Sequence, residues 1–176
     1  MKSVPTTRRR AFLLAAAGFA SALALPLVAG CGFELRRAPE MRFRTVQLVG
    51  FKPRSPLADE LRMNINASTT TVVVETAAQA QVVLEAIDDV REKTVVASTA
   101  VGQVTEFQLR ARFKFRVRGT GGKELIPAAE LLLTRDMSYT ESAALGKEQE
   151  EAFLYRAMQS DIVAQVLRRL ASIQSF

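Results

Sequence analysis

Residues 103–118 read QVTEFQLRARFKFRVR, and apolar and basic side chains alternate along this stretch. Because successive side chains of a β-strand point to opposite faces of a sheet, the alternation places two different sets of residues on the two faces. One face receives six apolar residues: Phe107, Leu109, Ala111, Phe113, Phe115 and Val117. The other face receives five cations: Arg110, Arg112, Lys114, Arg116 and Arg118. The stretch therefore predicts a long strand with one buried face and one basic face.

Further strands are predicted on both sides of this segment. The glycine-rich residues 119–122 (GTGG) favour a hairpin turn, because glycine adopts positive φ angles without strain. A returning strand then runs over about 124–138, and a preceding strand over about 81–99. The β-branched residues 70–75 are strand-like, and the alternation over 43–51 predicts a first strand.

Two helices are predicted, one early and one at the end of the chain. Ser55-Pro56 is typical of an N-cap followed by proline in the first helical turn, so the first helix spans about 55–67. Apolar residues recur along it at i, i+4 and i+8: Leu57, Leu61 and Ile65. In the last segment one helical face carries five apolar residues: Tyr155, Met158, Ile162, Val166 and Leu170. Acidic residues near its start and Arg168 and Arg169 near its end stabilise the helix, because their charges interact favourably with the helix dipole.

These elements predict the fold class. We expect the order β-α-β-β-β-α and an α+β two-layer sandwich, in which a mixed sheet of about four strands carries both helices on one face. The other face of the sheet is left for another molecule to cover. Residues 42–176 are expected to form this single domain.

The N-terminal segment is typical of an export signal. Residues 11–30 are uncharged and mostly apolar, and they follow the basic cluster Arg8-Arg9-Arg10. A permanent transmembrane helix is the alternative. The interruption at Pro26 and the small residues at the end of the run argue for a cleaved signal peptide over residues 1–30 instead. Arg9-Arg10 also resembles a twin-arginine export pattern, and the Sec and twin-arginine routes both remain open.

Cys31 directly follows this segment. Val28-Ala29-Gly30-Cys31 resembles the lipobox of bacterial lipoproteins, which implies that the Cys31 sulfur is acylated and that Cys31 becomes the first residue of the mature protein. Residues 31–41 are then a lipidated cysteine and a short tether. By comparison with lipoproteins generally, Gly32 after the cysteine implies sorting to the outer membrane, with the domain on its periplasmic side. Several acyl chains make a stable anchor, since each buried methylene contributes about 0.8 kcal/mol.

Composition excludes several function classes. The chain has one cysteine and no histidine, which rules out an internal disulfide, the usual zinc sites and Ser-His-Asp or Cys-His catalytic groups. All 18 acids lie after residue 30, so residues 31–176 carry a net charge of only +2, and nucleic acid is not an expected partner. We expect no enzymatic activity, no metal and no cofactor other than the lipid on Cys31.

The five cations of residues 110–118 have two interpretations. They suit a polyanionic surface such as phosphorylated lipid headgroups. Alternatively, they pair across strands with acids, for which the candidates are Glu85, Asp88, Asp89 and Glu130. A catalytic carboxylate pair is not indicated, because the adjacent Asp88 and Asp89 face opposite sides of a strand.

Three segments carry a resemblance to a known family. CGFELR at residues 31–36, TEFQL at 105–109 and ALGKEQEE at 144–151 resemble, in this order along the chain, the LPS-assembly lipoproteins of the LptE family. The resemblance implies an outer-membrane lipoprotein that helps to assemble the β-barrel LptD, plugs that barrel and binds lipopolysaccharide. Lys147, in the third segment, joins the strand cations as a candidate for binding phosphates. The rival hypothesis is a lipoprotein that binds peptidoglycan or scaffolds another envelope complex.

Overall fold

The computed structural model describes residues 39–175. The predicted signal peptide and Cys31 lie outside the described residues. Residues 39–175 form five strands: β1 (Thr45–Val49), β2 (Val72–Val74), β3 (Val82–Ser98), β4 (Val104–Gly119) and β5 (Glu124–Ser138). They also form two α-helices: α1 (Pro56–Asn66) and α2 (Ala144–Ala171). Short 3-10 turns precede β3 at Ala77–Gln79 and α2 at Glu141–Ala143.

The strands form one mixed sheet in the order β2-β1-β3-β4-β5. β1 is parallel to both β2 and β3, whereas β3, β4 and β5 are antiparallel. The α+β class and the mixed sheet are confirmed. The predicted order of strands is corrected to β-α-β-β-β-β-α, with five strands rather than about four. The strand left out of the predicted order is β2, which lies within the strand-like residues 70–75 and extends the sheet by pairing with Thr45–Gln47.

Helix α1 begins at the predicted N-cap. The Ser55 hydroxyl accepts a hydrogen bond from the Ala58 backbone N–H at 3.3 Å, and Pro56 occupies the first turn, where its missing N–H costs nothing. Leu57, Leu61 and Ile65 are buried, as the i, i+4, i+8 spacing predicts. The cap and the apolar face therefore set both the start and the orientation of α1.

Helix α2 runs for 28 residues and lies on the same face of the sheet as α1. Six of its residues are buried along one side: Met158, Ile162, Val163, Val166, Leu167 and Leu170. The two helices touch where Gln159 of α2 donates hydrogen bonds to the Pro56 carbonyl at 3.2 Å and to the Glu60 carboxylate. The predicted apolar stripe thus closes over α1 and the sheet.

The core lies between the helices and one face of the sheet. Phe113 and Phe115 of β4 are fully buried and stack with ring centroids 5.3 Å apart, and Phe51 stacks on Phe113 at 5.9 Å. Burying one such ring contributes about 1.5–3 kcal/mol. The opposite face of the sheet, called here the open face, carries no helix among the described residues.

Candidate functional site: the open face of the sheet

The apolar and the basic side chains of β4 lie on opposite faces of the sheet, as predicted. Leu109, Ala111, Phe113, Phe115 and Val117 are buried beneath the helices. The five cations, Arg110, Arg112, Lys114, Arg116 and Arg118, alternate with them and therefore lie on the open face.

Glu85 of β3 organises one end of this face. Its carboxylate accepts two hydrogen bonds from Arg116, one from Nε at 2.9 Å and one from Nη2 at 2.8 Å, and it also forms an ion pair with Arg118. The hydrogen bonds from Arg116 and then from Arg118 lower the pKa of Glu85 from 4.5 to about 2, against the opposing effect of burial. The same contact with Glu85 raises the pKa of Arg116. Both arginines are thus engaged within the sheet.

Arg112 is also paired. Its Nη2 lies 3.0 Å from Oδ2 of Asp88 on β3. Its Nε is buried and has no hydrogen-bond partner among the described residues. This ion pair leaves Arg112 with one unused donor that points away from solvent.

The remaining two strand cations have no acidic partner among residues 39–175. Arg110 donates from Nε to the Gln108 side chain at 2.8 Å. Lys114 lies in register between Asp88 on β3 and Glu130 on β5, yet neither carboxylate is close enough for an ion pair. Arg110 and Lys114 are therefore the strand cations most available to an external anion.

A β-bulge decides which acids share the open face. Ala86 pairs with Phe115 but Asp88 pairs with Lys114, so Ile87 is an extra residue in β3. The extra residue reverses the alternation of β3, because the side-chain period of a strand is two. Asp88 consequently lies beside the cations, whereas Asp89 lies opposite Phe113. The expected pairing of a strand cation with Asp89 is wrong for this reason.

Asp89 and the odd-numbered residues after it contact the helices. Burial raises the pKa of Asp89, which lies near Ser55 and Lys52. Arg91 donates to Gln159 at 2.5 Å, and Lys93 pairs with Glu151 at 2.6 Å. These contacts attach the distal part of β3 to α2.

Lys147 lies far from the Glu85 cluster. It is in the first turn of α2, where Nζ donates to Glu150 at 2.8 Å and to the Ser138 hydroxyl at 3.1 Å. Ser138 pairs with Glu106, and Arg116 follows ten residues later on β4, which corresponds to about 33 Å at ~3.3 Å per residue. The structure thus does not bring Lys147 together with the end of the strand that carries Arg116.

Several exposed apolar residues were not among the predicted site residues. Leu145 and Phe153 of α2 are 80% and 62% exposed, and Val101 in the β3–β4 turn is 82% exposed. Phe153 does not share the helical face of the buried residues of α2, so the helical period of the sequence already indicates an exposed aromatic residue. Within residues 39–175, the side chains of Val101, Leu145 and Phe153 are thus largely uncovered.

Two further observations bear on the class of protein. Within the described range no helix is both long and apolar enough to cross a membrane. The same residues hold no cluster of three or more side chains arranged to bind a metal ion.

Comparisons with known proteins identify the family. The family model LptE, described as Lipopolysaccharide-assembly, matches residues 43–170. The uncharacterized lipoprotein B of Nitrosomonas europaea is 30% identical, with a TM-score of 0.68, and the match covers 80% of this chain and 91% of that one. No curated protein matches the chain.

Two more distant structures share the fold. The rare lipoprotein B of Shewanella oneidensis is 22% identical, with a TM-score of 0.63, covering 73% of this chain and 95% of that one. A minor lipoprotein of Acinetobacter baumannii is 18% identical, with a TM-score of 0.61, covering 76% and 94%. Because the family model spans nearly the whole described domain, the chain belongs to the LptE family of lipopolysaccharide-assembly lipoproteins.

Proposed function

We propose that this protein is an outer-membrane lipoprotein, acylated at Cys31, that assists the assembly of an LptD β-barrel, plugs that barrel and binds lipopolysaccharide. The observation that carries the proposal is the family match over residues 43–170, which includes all five strands, α1 and all but the last residue of α2. The lipobox-like sequence before Cys31 supports the anchor, and the solved relatives are themselves named lipoproteins.

A partner that encloses the domain accounts for three of its features. β5 is an edge strand of 15 residues, so one row of its backbone groups is unpaired within the sheet. Such an edge is open to pairing with another chain unless something shields it. Leu145 and Phe153 are exposed on α2, and the open face carries no covering layer. A barrel wall around the domain would shield all of these surfaces at once.

Lipopolysaccharide phosphates would meet the open face at Arg110 and Lys114 first. Neither residue has an acidic partner among residues 39–175, whereas Arg112, Arg116 and Arg118 would have to exchange a carboxylate for a phosphate. Lys147 would have to leave Glu150 in the same way. The protein acts by binding, without a cofactor beyond its lipid.

Purification from outer membranes tests the proposal. A tagged, mature protein should bring down one large β-barrel, and its depletion should lower the amount of correctly assembled barrel and raise permeability to large antibiotics. Unchanged barrel levels and permeability contradict the barrel assignment. Capture of peptidoglycan fragments or of a different envelope complex, without a barrel, supports the rival hypothesis of a general envelope lipoprotein.

A further inference from the structure

The cleft beside the start of β1 has the composition of a phosphate site. It has a volume of about 420 Å³ and is lined by Met41, Arg42, Phe43, Arg44, Thr69 and Thr70. Two arginines and two threonines are thus among the lining residues, and none of the lining residues is an acid. Arginine binds phosphate oxygens in a bidentate manner, and hydroxyls add further donors.

The side chains of Arg42 and Arg44 make no polar contact with the rest of the described domain. Within residues 39–175, neither side chain forms an ion pair or a hydrogen bond. The backbone N–H of Arg44 donates to the Gln81 side chain at 2.6 Å, which holds the β1 end of the cleft against β3. On the other side, the Thr71 hydroxyl donates to the Phe43 carbonyl at 2.6 Å and positions the threonines beside the arginines. The cleft is therefore held in place by the sheet, while its cations remain available.

The cleft belongs to the most basic end of the domain. The Gln81 N–H donates to the Thr45 carbonyl, and the Thr120 N–H donates to the Gln81 carbonyl, so the start of β1, the start of β3 and the β4–β5 turn form one edge. We call this the N-terminal edge. Its cations include Arg42, Arg44, Lys123, Arg168 and Arg169, the last of which lies over the Phe115 ring, and its acids are Glu40 and Glu124. The opposite end carries more acids than cations, with Glu106, Asp136, Glu141, Glu148 and Glu150 beside Lys147.

The described part of the chain begins at this same edge, because residues 39–44 lead directly into β1. Residues 31–38 number eight, so even a fully extended tether from Cys31 reaches no more than about 29 Å. If Cys31 carries the lipid anchor of the proposed function, the N-terminal edge is held near the bilayer surface. The acidic opposite end is repelled by an anionic surface, whereas the N-terminal edge is attracted to it.

We propose that the cleft of Arg42, Arg44, Thr69 and Thr70 binds the phosphate groups of anionic phospholipids in the leaflet that holds the Cys31 lipid, and that this contact orients the domain with its N-terminal edge on the membrane. The inference rests on the acylation of Cys31 in the proposed function. It adds a second, electrostatic contact between the domain and the lipid surface.

Reconstitution of the mature, acylated protein tests this orientation. Vesicles contain either phosphatidylcholine alone or phosphatidylcholine with about one third phosphatidylglycerol. A dye on Thr120→Cys reports on the N-terminal edge, because only the backbone of Thr120 is used in the sheet. A dye on Ser98→Cys reports on the far end of β3, about 50 Å away at ~3.3 Å per residue. Quenching by lipids with spin-labelled headgroups measures the distance of each dye from the bilayer.

We expect the Thr120→Cys dye to be quenched more strongly on anionic vesicles and the Ser98→Cys dye to remain unquenched. Arg42→Glu with Arg44→Glu should lower the docking equilibrium by at least about 25-fold, since the loss of each basic residue near an anionic surface accounts for about a fivefold change and the two new carboxylates add repulsion. High salt should have the same effect, because the Debye length shortens to about 3 Å at 1 M. The matched control, Arg54→Glu with Arg156→Glu, changes the net charge equally at exposed sites away from the cleft and should dock like the wild type.

Equal quenching of the Thr120→Cys dye on both kinds of vesicle, or unchanged docking of the cleft variant, overturns the inference while leaving barrel and lipopolysaccharide binding untouched. A protein that fails to float with either kind of vesicle contradicts acylation at Cys31. That result overturns the anchor of the proposed function and this inference together, so the two failures are distinguishable.

Discussion

Glu85 and Arg116 form a two-point contact across β3 and β4, with Nε and Nη2 of the arginine 2.9 and 2.8 Å from the two carboxylate oxygens. Arg118 adds a second cation to the same carboxylate. Two of the five strand cations, Arg116 and Arg118, are therefore paired with an acid of the same sheet. Since it depends on the ionised carboxylate, it makes stability depend on pH.

The first prediction concerns acid unfolding. Because the pKa of Glu85 falls from 4.5 to about 2 on folding, its contribution to stability is fully present above about pH 5 and is lost as the pH falls towards 2. Glu85→Gln should therefore flatten the decline of the melting temperature between pH 5 and pH 2. Thermal melts at several pH values measure this. Glu130→Gln, which removes a carboxylate without an ion pair among the described residues, should keep the wild-type slope, and an equal slope in Glu85→Gln contradicts the prediction.

The second prediction separates binding cations from structural ones. Lys114→Gln should weaken lipopolysaccharide binding by the mature protein about tenfold, because a charged hydrogen bond contributes about 1.5–3 kcal/mol. Its melting temperature should change little, because Lys114 has no ion pair to lose and glutamine adds no charge beside Asp88 and Glu130. Arg116→Glu should instead lower the melting temperature, since it removes the ion pair with Glu85 and places a like charge beside that carboxylate. Binding assays and melts on the same samples measure both effects. Unaltered affinity in folded Arg110→Glu, Lys114→Gln and Lys147→Glu variants would remove all three from the site.

The third prediction concerns Gly50. This residue has a φ of +80°, and a Cβ added there would lie 2.2 Å from the Ala86 carbonyl oxygen, next to the bulge in β3. Gly50→Ala should reduce the free energy of unfolding by about 2 kcal/mol or more, because neither the backbone angle nor the space admits a side chain. Chemical denaturation measures the loss. Gly121→Ala, where a Cβ meets nothing within 4 Å, should be nearly neutral, and a similar loss at both positions would refute this explanation.

The fourth prediction concerns the apolar surface of α2. Phe153→Ser should reduce the amount of barrel that co-purifies with the tagged protein about tenfold, as expected when an aromatic anchor is removed from an interface. The melting temperature should change little, because Phe153 is 62% exposed in the domain. Met63→Ser on α1, at a residue 65% exposed, is the matched control. Equal barrel recovery from wild type and Phe153→Ser would place the interface elsewhere.

The fifth prediction concerns Cys31, which lies outside the described residues. Cys31→Ala should accumulate as the unprocessed precursor, because the sulfur that receives the lipid is missing. Mass spectrometry of the mature N-terminus measures cleavage and acylation directly. An unmodified Cys31, or cleavage at another position, would exclude the lipid anchor.

The spacing of apolar residues in the sequence was enough to predict most of the strands and both helices. The two-residue alternation in β4 and the three- and four-residue spacing in α2 both place apolar side chains on one side, and a buried face must pack against another buried face. Ser55 and Pro56 set the start of α1 through local hydrogen bonding and backbone geometry alone. These are local properties of the chain, so they can be read from neighbouring residues.

The partners of the charged residues were decided only by the tertiary structure. The single extra residue Ile87 reverses the alternation of β3 and places Asp88, rather than Asp89, beside Arg112. The cleft between Arg44 and Thr70 likewise joins segments 26 residues apart in the sequence. Local periodicity is enough to identify the buried faces of β4, α1 and α2, where no bulge interrupts the apolar spacing of the buried residues. Which acid pairs with which cation depends on the strand register and on which strands are neighbours. Both are set by the packing of the whole sheet.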